Sequence, residues 1–341
     1  MTTFIEVIKK YLFLLFISLV LFSCSDSNAI VNEEINKNAT IVEKHGQLSI
    51  SGTSLVDKNG DLIELRGMSL FWSQWGGKYY NEETIKWLRD DWKCTVIRVA
   101  VGVESGGYLD NPYEEYQKAK AAIDACIKLG IYVIVDWHDH HAENHLNEAT
   151  SFFNNISTTY GELPNIIYEI YNEPLDISWN NVLKPYAQTI VNTIRTNDAK
   201  IVIVVGTPNW SQDVDEVINN KIDDKNVAYT FHFYTSTHEQ WLRDKAIKAL
   251  KAGVPLFVTE WGLSEATGNG DINLTESGFW LDFLEQNKLS WCNWSIVNKD
   301  ESSAALLPTT TELSGWNENQ LTQSGKLIRG YLIQHNSKFF K

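Results

Sequence analysis

Two glutamates stand at the ends of two apolar runs. Ile166-Ile167-Tyr168-Glu169-Ile170-Tyr171 leads into Asn172-Glu173-Pro174, and Val254-Pro255-Leu256-Phe257-Val258-Thr259 leads into Glu260-Trp261-Gly262. Runs this rich in β-branched and aromatic residues read as buried strands. Pro174 and Gly262 stop them, because proline has no N–H for a ladder and fixes φ, and glycine weakens a strand. Each strand therefore delivers a carboxylate at its C-terminal tip. A pair of carboxyl groups, one protonated and one ionised, is the chemistry of glycosidic bond cleavage.

The elements that must hold such a pair follow from the alternation along the chain. Strand-like runs fall near 64–70, 95–101, 131–137, 166–172, 201–206, 227–234, 254–260 and 290–296. Helical periodicity lies between them, near 82–91, 114–129, 146–160, 180–197, 214–218, 239–252, 274–288 and 324–335. The strands are short and apolar throughout, as parallel strands buried on both faces are. Eight β units each followed by a helix read as an α/β fold of the (β/α)8 TIM-barrel type. A doubly wound sheet fits less well, since no glycine-rich phosphate turn follows the first strand. Ahead of the barrel, Gln47–Ser51 and Leu62–Leu65 flank an Asn59-Gly60 turn, which predicts an N-terminal β-hairpin closing the bottom of the barrel.

In such barrels chemistry sits at the C-terminal strand ends. The expected strands end near Arg98, at Asp136-Trp137-His138, Asn172-Glu173, His232-Phe233-Tyr234 and Glu260-Trp261, and at Trp294. Arg98, His138, Asn172, Glu173, His232, Tyr234, Glu260 and Trp294 should thus share one rim. Arg98 is placed to keep Glu260 ionised, since an opposite charge favours the carboxylate, and Tyr234 to donate its hydroxyl to it. Glu169, inward-facing by strand parity, is expected as a structural partner of Arg66.

Composition narrows the partners. The chain has 341 residues, a net charge of −14 and a pI near 5.0, which makes nucleic acid and anionic membrane surfaces poor electrostatic partners. Thirteen tryptophans exceed what a core needs and suit stacking platforms. Residues 1–23 have the grammar of an export signal: Lys9 and Lys10, then an apolar stretch from Tyr11 to Phe22. Leu21-Phe22-Ser23-Cys24 has the form of a lipobox, so a lipoprotein is expected, anchored to the bacterial envelope through Cys24, on the periplasmic or outer face. A simply secreted form is the alternative. Residues 24–44 read as a polar tether and 45–338 as one catalytic domain, expected to be monomeric. Cys94, Cys126 and Cys292 are expected as buried thiols, with a Cys94–Cys126 bridge as the alternative.

Taken together, Leu65-Arg66-Gly67-Met68-Ser69, Ile97-Arg98-Val99, Val135-Asp136-Trp137-His138, Ile170–Pro174, His232-Phe233-Tyr234, Thr259–Gly262 and Asn298-Lys299-Asp300-Glu301 resemble glycoside hydrolase family 5, in its bacterial endoglucanase branch, over about residues 46–335. The resemblance implies a retaining endo-β-1,4-glucanase (cellulase) acting on cellulose or a related β-glucan polysaccharide or oligosaccharide. Glu173 would be the proton donor and Glu260 the nucleophile, roughly 5–5.5 Å apart, with Asn172 on the sugar 2-hydroxyl. It also implies that Trp294 floors the sugar being cleaved, that Trp75 and Trp210 are glycone- and aglycone-side platforms, and that Lys299 and Glu301 bond distal hydroxyls. His138 and His232 would be donors to sugar hydroxyls or to the glutamates.

Two positions depart from the family pattern. Phe71 stands where relatives commonly carry a histidine. Gly102 stands where they present a tyrosine, which suggests a wider distal subsite. No cofactor and no metal is implied, and the histidines of Asp136–His141 are read as hydrogen-bonding groups. The rival functions are an endo-β-1,4-mannanase or xyloglucanase of the same fold, and a surface glycan-binding lipoprotein without catalysis.

Overall fold

The computed structural model describes residues 39–340. The expected leader, and Cys24 with it, lies outside the described residues. Eight parallel strands close into a barrel: β3 (Arg66–Leu70), β4 (Val96–Gly102), β5 (Tyr132–His138), β6 (Ile166–Glu169), β7 (Val202–Val205), β8 (Val227–Tyr234), β9 (Leu256–Gly262) and β10 (Trp291–Ile296), with β10 pairing back onto β3. Every residue of these strands is buried. That is why they read as continuous apolar runs rather than alternating ones.

The outer ring is α2 (Glu82–Asp90), α3 (Pro112–Leu129), α4 (Leu146–Tyr160), α5 (Lys184–Asn197), α6 (Gln240–Lys251), α7 (Leu274–Asn287) and α8 (Gln323–Asn336). Asn81, Asn273 and Thr322 cap the first turns of α2, α7 and α8 by accepting backbone N–H bonds. The barrel wall leaves no room for a side chain at Gly67, where a Cβ would lie 1.7 Å from the Val96 carbonyl oxygen.

Three local expectations are corrected. The predicted helix at 214–218 is a run of turns, and the helical turn between β7 and β8 is Pro208–Ser211 instead. Asp213, Asp215, Glu216, Asn219 and Asn220 leave only Val214 and Val217 to bury there, and Asp and Asn favour turns over helix interiors. The hairpin turns earlier than expected: β1 (Ser49–Ser51) pairs with β2 (Ser54–Val56) around Gly52, which takes a φ of 62°. The Asn59-Gly60 segment closes only a single bridge between Val56 and Leu62.

The hairpin does sit at the N-terminal end of the barrel. The Ile50 N–H donates to Asn226 just before β8, and the Tyr132 hydroxyl at the start of β5 donates to the Gly46 carbonyl. Finally, the folded unit starts at Thr40, inside the stretch read as tether. Thr40 and Glu43 form a reciprocal capping box for α1 (Ile41–His45), whose Ile41 and Val42 are buried. Cys94, Cys126 and Cys292 are buried and unpaired.

Candidate active site

Arg98, on β4, organises the rim. Its side chain is fully buried, so each N–H needs a protein acceptor. Nε and Nη2 donate to the two oxygens of Glu169 at 2.7 and 3.1 Å, Nη2 also to Asn172 Oδ1 at 2.7 Å, and Nη1 to Glu260 Oε2 at 2.8 Å. Asp136 Oδ2 lies 2.9 Å from Nη2. Glu169 therefore pairs with Arg98, not Arg66. Arg66 opens β3 at the opposite end of the barrel from the last residue of β6, and it binds Glu64 and Glu285 there. Because arginine only donates, Asn172 must turn its oxygen to Arg98, which leaves its amide N–H groups as donors for a ligand.

Glu260 also accepts the Tyr234 hydroxyl, through Oε1 at 2.7 Å. Burial and the Glu260 charge push Tyr234 well above the usual phenol range, so it stays a donor. The expectation that Arg98 keeps Glu260 ionised needs adjustment. Burial and the nearby Glu173 charge raise Glu260, while Arg98, His232 and Tyr234 lower it, and the balance lies above the ordinary value. Arg98 divides its charge among Glu169, Asp136 and Glu260. Glu260 is thus most readily ionised when Glu173 carries a proton, which is the division of labour that an acid–nucleophile pair needs. Oxygens of Glu173 and Glu260 lie within 4.8 Å of one another.

A hydrogen-bond relay reaches Glu173 from behind. The Thr259 hydroxyl donates to Glu169 Oε1 at 2.7 Å, so its oxygen can only accept from His232 Nε2–H, at 2.9 Å. That fixes the tautomer and leaves His232 Nδ1 facing Glu173 Oε1 at 3.0 Å. One proton must lie between those two atoms. Burial disfavours the imidazolium, but the Glu169 and Glu173 carboxylates and the Glu260 charge outweigh it and push His232 up to about 9. His232 accordingly keeps a proton beside Glu173 Oε1 across the neutral range.

His232→Gln is expected to move the alkaline limb of kcat/KM down by about one pH unit or more, since a lone carboxylic acid loses its proton at lower pH than an imidazolium flanked by carboxylates. A pH–rate profile unchanged on that side would refute the relay.

His138 plays a different part from the one expected. Its Nδ1 is 2.7 Å from Asp136 Oδ2, an oxygen already held by Arg98, so the ring donates there. Burial and the Arg98 charge hold the imidazole well below its usual range, so it is neutral and presents Nε2 as an acceptor rather than a donor. The ring stacks on Trp294 at 5.2 Å and 3°, and Trp72 meets it edge-on at 4.1 Å.

Around these groups runs an open cleft. Its lining includes Trp75, Trp210, Trp294, Phe71, His138, Tyr234, Lys299 and Glu301 together with both Glu173 and Glu260. Trp75 and Trp210 are 59% and 44% exposed, as platforms must be, whereas Trp294 is nearly buried. Trp210 is presented by a left-handed turn, with Asn209 and Trp210 at φ 58° and 57°. Their N–H groups donate to the carbonyls of Leu175 and Pro174, tying the platform to the Glu173 segment. Lys299 and Glu301 form an ion pair, and Lys299 Nζ stands 5.4 Å over the Phe71 ring.

Phe71 also packs against Trp75 and Trp294, so the departure at this position extends an aromatic rail. The space expected beside Gly102 is filled. A Cβ there would lie 1.8 Å from Gln74 Oε1, so the missing tyrosine is replaced by the Gln74 amide rather than by a wider subsite. Thr259 and Trp72 are given no role by the sequence reading. Thr259 points inward alongside Glu260 because the pairing of β8 with β9 shifts register between Thr230 and His232, which strand parity does not reveal.

The family model described as cellulase (glycosyl hydrolase family 5) matches residues 56–300. Endoglucanase A of Evansella cellulosilytica is 45% identical over 303 residues, covering 87% of this chain but 62% of that protein's length. A solved structure from Cytophaga hutchinsonii is 50% identical, with a TM-score of 0.88, over 89% of this chain and 99% of that one. The catalytic domain of an endoglucanase from Thermobifida fusca, solved with cellotetraose, is 31% identical, with a TM-score of 0.83, over 86% and 99% of the two chains. The chain thus spans about three fifths of the length of the curated relative from Evansella cellulosilytica.

Proposed function

This chain belongs to glycosyl hydrolase family 5, and from that premise we propose that it is a retaining endo-β-1,4-glucanase. The observation that carries the reading is the separation of Glu173 and Glu260, whose nearest oxygens lie within 4.8 Å across an aromatic cleft. A water cannot be fitted between such a pair and a sugar, which favours direct attack over the wider inverting arrangement.

In the first step Glu260 attacks the anomeric carbon while Glu173 passes its proton to the leaving oxygen, giving a covalent glycosyl-enzyme. In the second, Glu173, now ionised, takes a proton from water as that water displaces Glu260. Arg98 and Tyr234 receive the charge returning to Glu260. The Asn172 amide N–H groups are positioned for the 2-hydroxyl, and neutral His138 accepts from a hydroxyl of the same sugar. Trp75, Trp210 and Trp294 offer flat faces that suit the apolar faces of all-equatorial β-glucosyl units. Lys299 and Glu301 extend the same wall. The export-signal grammar of residues 1–23, with Cys24 directly after it, supports an exported, lipid-anchored placement.

Substrate choice tests the reading. Carboxymethylcellulose and mixed-linkage β-glucan should be cleaved at least about tenfold faster than galactomannan, whose axial 2-hydroxyl misplaces the donor contact at Asn172. Faster release from galactomannan would make the protein a mannanase, and faster release from xyloglucan than from either glucan a xyloglucanase.

A further inference from the structure

The loop after β5 holds a second group of histidines and carboxylates that the reaction above leaves unused. Asp139 is buried. Its Oδ1 accepts from the backbone N–H of His141 at 2.9 Å, and its Oδ2 lies 2.7 Å from His145 Nδ1. A carboxylate oxygen accepts, so His145 places its hydrogen on Nδ1 and, as the neutral ring, turns a bare Nε2 lone pair away from Asp139. What Nε2 approaches is another acceptor, Glu104 Oε1, 3.9 Å away. The same Glu104 carboxylate stands 3.2 and 3.3 Å from His141 Nδ1. The ring of His141 donates there, and a metal ion would displace that hydrogen, so side chains from the loops after β4 and β5 meet at one cluster.

The spacing suits a metal ion. With bonds of about 2.0–2.2 Å, tetrahedral zinc ligands stand roughly 3.3–3.6 Å from each other. The separations of 3.2 and 3.3 Å from the Glu104 oxygens to His141 Nδ1 lie close to that value. Coordinating atoms of Glu104, Asp139 and His141 fall within 4.8 Å of one another. His141 and His145 are separated by a single 3-10 turn, Ala142–Asn144, so one short backbone segment supplies both the His141 imidazole and the histidine that holds Asp139. The His145 Nδ1–H bond to Asp139 is the kind of outer hydrogen bond that holds a ligating carboxylate in place. Glu104 is anchored in turn, because its carbonyl accepts from Gln74 Nε2 at 3.2 Å.

We propose that Glu104, Asp139 and His141 bind a divalent transition cation of the zinc type, with His145 holding Asp139 in place through its Nδ1–H and a fourth position open to solvent. The ion ties the loop after β4 to the loop after β5. It does so outside the catalytic pair, leaving Glu173, His232 and Glu260 to their own chemistry.

Zinc chloride is the probe. The purified full chain, stripped with chelator, is titrated calorimetrically near pH 7.5 and melted with and without zinc. One site per chain is expected, with a dissociation constant of about a micromolar or below and a melting temperature raised by zinc. Glu104→Gln and His141→Asn should each weaken binding more than about tenfold and abolish the thermal shift. Both should melt as wild type does in chelator, because Glu104 and His141 are partly exposed. Absence of saturable binding in the wild type overturns the proposal. So does wild-type affinity in both variants, and so does displacement of the zinc by cellotetraose, which would place the ion at Glu173, His232 and Glu260 instead.

Discussion

Glu260→Ala is expected to lower turnover on soluble cellulosic polymer by roughly 10⁴-fold or more, while affinity for a cello-oligosaccharide stays within about threefold. The size of the effect follows from what is lost. Without the carboxylate no covalent glycosyl-enzyme forms, and Arg98 Nη1 and the Tyr234 hydroxyl lose the acceptor they share. Binding is spared because the platforms, Trp75 and Trp210, stand apart from Glu260 on the exposed walls of the cleft.

The companion variant separates the two roles. Glu173→Ala should be nearly as inactive on polymer, yet keep much of its first-step rate on an aryl glycoside whose phenol leaves without protonation, because only the acid has been removed. Initial-rate kinetics on both substrates, with calorimetry for affinity, decide the matter. If Glu260→Ala retained a tenth of wild-type turnover, Glu260 would not be the nucleophile. If the wild type released no sugar from any β-glucan while binding it, the non-catalytic rival would stand.

Much of this site is legible in the amino-acid order, and for a definite reason. A parallel barrel buries both faces of each strand and ends each strand at one common rim. The switch from apolar run to Arg98, His138, Glu173, His232 or Glu260 therefore gives position as well as chemistry. What parity cannot supply is a break in parity. The register shift between β8 and β9 turns Thr259 inward beside Glu260, and through Thr259 it sets the tautomer of His232 and the proton that ring keeps beside Glu173.

Partner choice within the barrel is hidden in the same way. Glu169 faces inward from the sequence alone, but Arg66 and Arg98 are told apart only by height along the barrel. Loops are less legible still. The Asp139–His145 run is visible as a string of histidines and acids, whereas Glu104 reaches it from another strand's loop. The short helix at Ile41–His45 was masked by a polar stretch, although Thr40 and Glu43 carry the capping-box spacing.

Arg98→Met should be the most disruptive substitution for the fold among the rim residues, costing about 3–5 kcal/mol, the range for breaking a buried ion pair by removing one partner. The side chain is fully buried and is the common partner of Glu169, Asp136, Glu260 and Asn172. A methionine of similar volume leaves three carboxylates without their cation. Each is then pushed toward its neutral form, above its unfolded value.

The sign of the pH effect follows. A group whose folded pKa exceeds its unfolded one adds stability that is fully present below the unfolded pKa and is lost as pH rises through the folded pKa. The variant should accordingly lose less stability at pH 5 than at pH 8, by urea unfolding at both. Activity should shift with it. Arg98 lowers Glu260, so its removal raises the pH at which Glu260 ionises and moves the acid limb of kcat/KM upward. A variant whose stability loss is equal at both pH values, and whose acid limb stays put, would show that Arg98 fills space rather than setting the charge on Glu260.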